Sequence, residues 1–349
     1  MSKVGMAIVG CGNIGPVHAA AISQVRGAKL VAVSDIDEAR AASLAGKYGA
    51  EVYTDYRAML RRADIQAVSI CVPSGLRVDI AEACAAAGKH ILSEKPLEIN
   101  TERIDRIIRA ADKAKVLLGC IFQSRFAEGT QQLLKAVQQG RFGKLVLGDA
   151  YIKWYRTQEY YAAGKWRGTK KWDGGGALMN QGIHYIDLLL YFMGPVKRVT
   201  AQMKCIGHPG LEVEDLATVL LEFKNGAMGV IEGTTSAWPG HSARVEIYGM
   251  EGSAALQDGE IVLWKFAKRK AIDAKIEQIM GRESSLGSGA GDPMSGLKTE
   301  GHRLQIDDFV RAIQQGRKPR VDGREGRHAV ALIESIYRSA KLGKPVTLK

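Results

Sequence analysis

A glycine-rich loop between two apolar runs is the feature that most constrains this chain. The loop, Gly10-Cys11-Gly12-Asn13-Ile14-Gly15, directly follows the run Val4–Val9, and Asp35 closes the next apolar run, Leu30–Val33. In a strand–loop–helix unit such glycines allow a tight turn, close backbone approach to a pyrophosphate and packing of helix on strand. The helix that starts at Ile14 and Pro16 would direct its N-terminal amides at the phosphates.

Asp35 predicts which dinucleotide this loop binds. It lies 20 positions beyond Gly15, where a carboxylate can accept hydrogen bonds from the adenosine ribose. Since a carboxylate disfavours a 2′-phosphate at the same place, we expect NAD in preference to NADP. Arg40 could still meet such a phosphate, so NADP stays open.

The rest of the pattern predicts an α/β chain of two domains. In the first part, strands alternate with helices, which is typical of a doubly wound parallel sheet, so we expect a Rossmann domain over residues 1–122. The predicted strands are Val4–Val9, Leu30–Val33, Glu51–Tyr53, Ala67–Val72, His90–Ser93 and Val116–Ile121. The predicted helices are Ile14–Val25, Glu38–Tyr48, Tyr56–Ala63, Arg77–Ala87 and Thr101–Lys113, the last with Asn100 as its N-cap.

In residues 123–349, longer runs of alternating polar and apolar residues follow one another. This pattern predicts an α+β domain with a large, mainly antiparallel open sheet. The predicted strands are Lys144–Tyr155, Val199–Ile206, Leu216–Phe223, Met228–Thr235, Ala243–Tyr248, Ser253–Leu256 and Glu260–Trp264. Helices are expected over Gly176–Met193, Arg303–Gln315 and Glu325–Leu342. The Gly- and Ser-rich stretch Gly281–Gly296 predicts a surface loop.

Composition narrows the class of protein. No apolar stretch approaches the roughly 18 residues of a membrane span, and nothing resembles a signal peptide. The five cysteines are scattered without metal-ligand spacing, which predicts reduced thiols, no metal and a cytoplasmic location. The net charge of +12 raises the question of nucleic acid, but acids are interspersed with most of the basic residues, so no nucleic-acid partner is expected.

In one segment, Lys153–Lys171, the basic residues are not interspersed with acids in this way. It carries six basic residues and five aromatics against the single acid Glu159. One interpretation is a solvated rim with aromatics packed beneath it. We favour an anionic, ring-bearing ligand, for which guanidinium groups and aromatic faces are suited. The residues expected to bind it are Arg156, Tyr160 and Arg167.

Two turns at strand ends are candidates for the chemistry. Ser93-Glu94-Lys95-Pro96 ends the fifth strand, at the edge where open α/β sheets bind ligands. Lys95 there could orient a hydroxyl and stabilise a developing alkoxide, Glu94 could hold it, and Pro96 could be cis. Pro73-Ser74-Gly75-Leu76-Arg77 ends the fourth strand and could flank a nicotinamide ribose, or could be a plain turn with Ser74 as N-cap.

A third candidate is the helix that follows Gly174-Gly175-Gly176. Asn180 and His184 are spaced i and i+4 on it, which predicts one shared face, and Asp187 lies near that face. The glycines would let backbone approach a ligand closely. A histidine paired with an amide in this setting is an acid/base candidate, although single helical histidines are usually core residues.

Together, the glycine loop, Glu94-Lys95-Pro96 and the His184 helix resemble the glucose–fructose oxidoreductase, inositol dehydrogenase and rhizopine-catabolism (Gfo/Idh/MocA) family over essentially the whole chain. The resemblance implies NAD(P)-dependent oxidation or reduction of sugars and cyclitols, and a homodimer or homotetramer formed through the C-terminal sheet. It makes Lys95 and His184 the catalytic pair and places Arg77, Glu94 and Gln123 beside the cofactor. Many members have Asp where this chain has Asn180, which favours His184 as base and Asn180 as a substrate anchor.

The run from Arg156 to His184 is similar to the WlbA-type branch, whose members oxidise C3 of UDP-N-acetylglucosaminuronic acid. We therefore expect hydride transfer from a secondary alcohol, with His184 taking the proton and Lys95 stabilising the alkoxide; the reverse assignment stays open. One alternative is a dehydrogenase of a free sugar or inositol. Another is a non-catalytic NAD-sensing regulator, against which the presence of both Lys95 and His184 argues.

Overall fold

The structure is a computed structural model, and it describes residues 2–280, 291 and 299–348. The chain divides into two compact units, Met1–Gln123 with Thr299–Arg327, and Ser124–Lys298 with His328–Lys349. The first change of unit falls one residue from the predicted boundary at 122. The prediction assigned Thr299–Arg327 to the second domain, whereas in the structure this segment is part of the first unit.

The first unit contains a six-stranded parallel sheet in the order β3-β2-β1-β4-β5-β6, as expected for a doubly wound fold. Its strands are β1 (Val4–Val9), β2 (Ala28–Ser34), β3 (Glu51–Tyr53), β4 (Ala67–Ile70), β5 (His90–Ser93) and β6 (Leu118–Cys120). Its first helices are α1 (Gly15–Gln24), α2 (Glu38–Tyr48), α3 (Tyr56–Met59), α4 (Arg77–Ala86) and α5 (Thr101–Ala114).

Local signals account for these helices. Asp37 caps α2 by accepting a hydrogen bond from the Arg40 amide, and Gly49 ends it with a left-handed φ of 64°. Asn100 caps α5 as predicted, its side chain accepting from the Arg103 amide at 2.9 Å. Ser74 does not cap α4 as one interpretation had it. It lies in a 3-10 turn, Ser74–Leu76, that precedes the helix.

The helix α10 (Glu300–Gln315) explains why the chain returns to the first unit. Its residues Ile306, Phe309 and Val310 are buried in the same apolar cluster as the strands β1 and β2. That burial contributes about 1.5–3 kcal/mol for each large side chain. The sequence showed an amphipathic helix here but not which sheet its apolar face would cover.

The second unit contains an eight-stranded sheet in the order β13-β12-β11-β7-β10-β9-β8-β14. All its pairs are antiparallel except β7 with β10, which confirms the predicted, mainly antiparallel sheet. The strands are β7 (Leu145–Lys153), β8 (Val196–Lys204), β9 (Leu216–Phe223), β10 (Met228–Thr234), β11 (Arg244–Gly249), β12 (Gly252–Gln257), β13 (Glu260–Phe266) and β14 (Val346–Thr347).

The helices of the remaining chain include several that the sequence analysis did not predict. Those are α6 (Glu128–Gln138), α7 (Gln158–Ala162) and α9 (Ala271–Ile279). The predicted helix Gly176–Met193 begins as a π-helix, Ala177–Gly182, and continues as α8 (Ile183–Met193), and α11 spans Gly323–Leu342. The predicted loop Gly281–Gly296 lies, apart from Gly291, outside the described residues.

Within the described part of the chain, every helix is too short or too polar to cross a lipid bilayer. The cysteines are free thiols, four of them buried, while Cys205 is exposed.

Candidate active site

The glycine loop of the first unit has the shape that a bound pyrophosphate requires. Gly10 has a φ of +98°, which only glycine adopts readily, and a Cβ at Gly15 would lie 2.5 Å from the Gly10 carbonyl oxygen. A Cβ at Gly12 would meet nothing within 4 Å. Two glycines are thus needed for the turn itself, and the third leaves open space beside the amides that begin α1. The loop fits a dinucleotide.

Asp35, at the end of β2, ties the loop to the sheet. Its Oδ2 accepts a hydrogen bond from the Cys11 amide at 2.7 Å, and its Oδ1 accepts one from the Asp37 amide at 2.9 Å. Each oxygen has a second lone pair for a ribose hydroxyl. Arg40 is exposed and pairs with Asp37 at 3.1 Å.

Cys11 contributes its backbone to the loop. Burial, together with the nearby Asp35 carboxylate, raises the pKa of its thiol to about 12. The thiol is therefore neutral and fills the turn as a small apolar group. Within the same loop, Asn13 is exposed and Ile14 is half-buried.

Asp35→Ser is expected to weaken NAD binding and to narrow or invert the preference for NAD over NADP. The substitution removes the charge that repels a 2′-phosphate, and it weakens the bond that fixes the Cys11 amide. Calorimetric titration with both nucleotides measures the difference. Asp37→Asn, which keeps an N-cap on α2, is the matched control. Tighter binding of NADP than NAD by the unaltered protein would contradict the prediction.

Lys95 lies in a turn whose backbone is held on both sides. The buried Arg77 donates from Nη1 to the carbonyl oxygens of Glu94, at 2.7 Å, and Pro96, and from Nε to that of Val72 at 3.0 Å. The Lys95–Pro96 peptide bond is cis. The Arg77 guanidinium thus shapes the turn that carries Lys95, and the contact expected between Arg77 and the cofactor stays a prediction.

The side chain of Glu94 is directed into the protein interior. Its Oε1 accepts from Nε2 of His18 at 2.9 Å and of His302 at 3.3 Å, and its Oε2 accepts from the Lys95 amide at 3.0 Å. Burial raises the pKa of this carboxyl, but the two imidazole hydrogen bonds outweigh it and hold the pKa well below its ordinary value. Sequence reasoning missed both histidines. His18 stands one turn into α1, and His302 is more than 200 residues further on.

The other predicted cofactor residues of this unit follow strand ends. Pro73 is half-buried, and Ser74 is fully buried in the turn after β4. Gln123 begins a 3-10 turn, Gln123–Phe126, shortly after β6. Their contact with a cofactor stays a prediction.

In the second unit, a buried carboxylate orients Asn180. The Asn180 amide nitrogen donates to Oδ1 of Asp173 at 2.6 Å, and Oδ2 of Asp173 accepts from the Gly168 amide at 2.9 Å. The side-chain nitrogen of Asn180 is therefore held toward Asp173. His184 is half-buried and follows the π-helix, a departure from α geometry that often marks a functional site.

At the start of the π-helix, backbone amides donate hydrogen bonds to the Glu214 carboxylate. Glu214 lies two residues before β9. Its carboxylate accepts hydrogen bonds from the backbone amides of Gly176 at 3.0 Å and Leu178 at 2.9 Å, and from the Tyr337 hydroxyl at 2.8 Å. A Cβ at Gly175 would lie 2.1 Å from that hydroxyl, and one at Gly176 would lie 1.7 Å from the Glu214 carbonyl. These two glycines are required by packing within the protein, whereas the sequence analysis assigned them to close approach of a ligand.

The three residues expected to bind an anionic ligand lie together. The Arg167 guanidinium is 4.6 Å from the centre of the Tyr160 ring, and that of Arg156 is 5.5 Å from the same centre. Gln181 donates to the Tyr160 hydroxyl at 3.3 Å, which joins this cluster to the π-helix. Nε2 of the buried His208 donates to the Arg156 carbonyl oxygen at 2.7 Å.

Comparison with known proteins shows the same two parts. Residues 4–122 match the oxidoreductase family with an NAD-binding Rossmann fold, and residues 130–255 match the GFO/IDH/MocA C-terminal domain. Inositol 2-dehydrogenase of Rhizobium meliloti is 30% identical, with 98% of each chain covered.

Two solved structures are similar over the whole chain. The WlbA dehydrogenase of Bordetella pertussis, in complex with NADH and UDP-GlcNAcA, is 33% identical with a TM-score of 0.90, covering 100% of this chain and 98% of that one. The WlbA dehydrogenase from Chromobacterium violaceum, with the same two ligands, is 33% identical with a TM-score of 0.89, covering 100% and 97%.

The chain belongs to the GFO/IDH/MocA oxidoreductase family. It is an oxidoreductase with an NAD-binding Rossmann domain, and inositol and sugar dehydrogenases are among its relatives.

Proposed function

We propose that this enzyme oxidises a secondary alcohol of an anionic sugar, and specifically C3 of a UDP-linked sugar uronate. The observation that carries the proposal is the arrangement of Arg156 and Arg167 around the Tyr160 ring. Paired guanidinium groups suit pyrophosphate and carboxylate oxygens, whereas a neutral monosaccharide needs only hydrogen-bonding side chains. Similarity to the two WlbA dehydrogenases supports the same substrate class.

The proposed chemistry divides the work between two residues. His184 takes the proton of the hydroxyl, and Lys95 stabilises the negative charge that develops on its oxygen. The reverse assignment, with Lys95 as base, is the alternative. NAD, when bound, supplies the hydride acceptor, and the residues suited to hold it are the glycine loop and Asp35.

Asn180 is proposed to anchor the substrate. Asp173 fixes the orientation of the Asn180 side-chain amide, and an amide group is suited to hydrogen bonds with sugar hydroxyls. An amide cannot act as a base, so residue 180 does not compete with His184 for the hydroxyl proton.

The proposal is tested by NADH formation with a panel of alcohols. UDP-N-acetylglucosaminuronic acid is expected to be turned over with a kcat/KM at least about 10²-fold above that of UDP-N-acetylglucosamine or a neutral sugar, since charged hydrogen bonds each contribute about 1.5–3 kcal/mol. Efficient turnover of myo-inositol or glucose, with no turnover of UDP-sugars, would contradict the proposed substrate but not the membership of the family.

Arg167→Gln sharpens this test. It is expected to raise KM for the charged substrate and to leave KM for a neutral sugar almost unchanged. Lys165→Gln removes an equal charge from an exposed residue of the same segment and serves as the matched control.

Oxidation of a free cyclitol is the second candidate, because inositol 2-dehydrogenase of Rhizobium meliloti is similar over 98% of the chain. The panel distinguishes the two. A regulator that binds NAD without turnover would show none with any member of the panel.

Self-association through the C-terminal sheet is proposed from its outward face. Leu220 on β9 and Met228 on β10 are each more than half exposed on neighbouring strands. A second copy would cover them, and sedimentation velocity of the purified protein tests this.

A further inference from the structure

A buried cluster in the first unit joins four separate elements around one carboxylate. His18 comes from α1, Ser69 from β4, Glu94 from the end of β5, and His302 from α10. All four side chains are almost completely buried. The bonds form a chain, from the Ser69 hydroxyl to Nδ1 of His18 at 2.6 Å, and from Nε2 of His18 to Oε1 of Glu94 at 2.9 Å.

The protonation of the two imidazoles follows from their surroundings. Burial lowers the pKa of His18, so the ring is neutral, donates from Nε2 to Glu94 and accepts the Ser69 hydroxyl at Nδ1. Nδ1 of His302 is buried and has no hydrogen-bond partner among the described residues. Its proton therefore belongs on Nε2, which faces Glu94 at 3.3 Å. One oxygen of Glu94 thus receives two N–H groups.

The other charged or titratable groups around Glu94 keep it as an anion. Arg77, from α4, lies close enough for its positive charge to act on Glu94, while it donates to the Glu94 carbonyl. Cys71, after β4, stays a neutral thiol because burial raises its pKa. A buried carboxylate with these partners has both oxygens occupied, the second one by the Lys95 amide at 3.0 Å.

We propose that Glu94 is a positioning residue for Lys95, and that His18 and His302 act through Glu94 to fix it. This inference rests on the proposed function, in which Lys95 contacts the substrate oxygen. The Glu94 side chain holds the Lys95 amide, and Arg77 holds the carbonyls on either side of Lys95. The backbone from which the lysine side chain extends is thus fixed on both sides.

Two histidines and a glutamate can also bind a metal, and these three have ligand atoms within 4.8 Å of one another. The hydrogen bonds favour the positioning network. A metal would need the lone pair of each Nε2, whereas at His18 the neutral ring accepts at Nδ1 and donates at Nε2. Metal bound stoichiometrically to the purified protein would therefore contradict the proposal.

The experiment compares Glu94→Gln, His302→Leu and His302→Gln in the full chain, with turnover measured against pH. Glu94→Gln is expected to lower kcat by about 10²-fold, the loss that a displacement of about 1 Å can cause, with little change in KM. Removal of the carboxylate charge disfavours the protonated lysine, so the limb of the pH–kcat profile that reports Lys95 should move to lower pH.

His302→Leu should produce a smaller loss of kcat, and His302→Gln, which keeps an N–H donor for Glu94, should recover most of it. His328→Leu replaces an exposed histidine and is the matched control. Should His302→Leu fail to fold, the nearly isosteric Glu94→Gln still decides the question. Unchanged kcat and pH profile in Glu94→Gln, while Lys95→Ala is inactive, would overturn the positioning role and leave the proposed function standing. Full activity of Lys95→Ala would overturn both.

Discussion

Lys95→Ala and His184→Ala are each expected to lower kcat by about 10²–10⁴-fold while the enzyme still binds NAD. Removal of an acid/base group costs this much because the hydroxyl proton and the charge on the oxygen then have no positioned partner. Steady-state NADH formation gives kcat, and calorimetric titration gives the affinity for NAD.

Two exposed residues of the same types provide the controls for these variants. Lys113→Ala and His328→Ala replace a lysine near the end of α5 and a histidine on α11, and both should keep normal turnover. Near-normal turnover of Lys95→Ala or His184→Ala would remove that residue from the mechanism. Loss of NAD binding together with turnover would indicate a structural role instead.

Asp187→Asn is expected to lower the free energy of unfolding by about 3–5 kcal/mol. Asp187 lies on α8 and holds the buried Arg125 guanidinium through two bonds, from Nε at 2.7 Å and from Nη2 at 2.6 Å. Both side chains are almost inaccessible, at 4% for Arg125 and 1% for Asp187. Removing the carboxylate charge therefore leaves a guanidinium in a region that water does not reach. Urea denaturation measures the change.

Two comparisons show whether burial is the cause of that loss. Glu232→Gln breaks the exposed ion pair with Lys153 in the same unit and should cost at most about 1 kcal/mol. The double variant Arg125→Met, Asp187→Leu replaces both charges with apolar groups and should be more stable than Asp187→Asn. A loss below about 1 kcal/mol for Asp187→Asn would show that the buried pair is not coupled to folding.

The sequence predicted elements well where the signal is local. The bounds of β1, α2 and β9 agree with the prediction residue for residue, because an apolar run, a cap or strict alternation defines each of them. The glycine loop is equally local: turn, helix start and Asp35 lie within 26 residues, from 10 to 35. The parallel sheet then follows from the alternation of strands with helices.

Elements that depend on distant partners could not be predicted in this way. The π-helix Ala177–Gly182 depends on Glu214, which is 38 residues from Gly176 and supplies two acceptors at its start. The placement of α10 depends on the apolar cluster of the first sheet. Neither dependence leaves a periodic signal in the sequence.

The candidate site shows the same division. The composition of one segment indicated which residues would surround an anionic ligand. Arg156, Tyr160 and Arg167 do lie in one cluster, because they are close together in the sequence. The partners that orient the site were missed. Asp173 fixes Asn180 from seven residues away, and His302 reaches Glu94 from 208 residues away.

The most direct test of the central claim is transfer of deuterium from the substrate. UDP-N-acetylglucosaminuronic acid labelled with deuterium at C3 is incubated with the enzyme and NAD, and the reduced cofactor is analysed by NMR. The proposed function predicts deuterium at the nicotinamide C4 of the NADH formed, together with a 3-keto sugar nucleotide. NADH without deuterium, or no reaction with this substrate while a neutral sugar or cyclitol is oxidised, would contradict it.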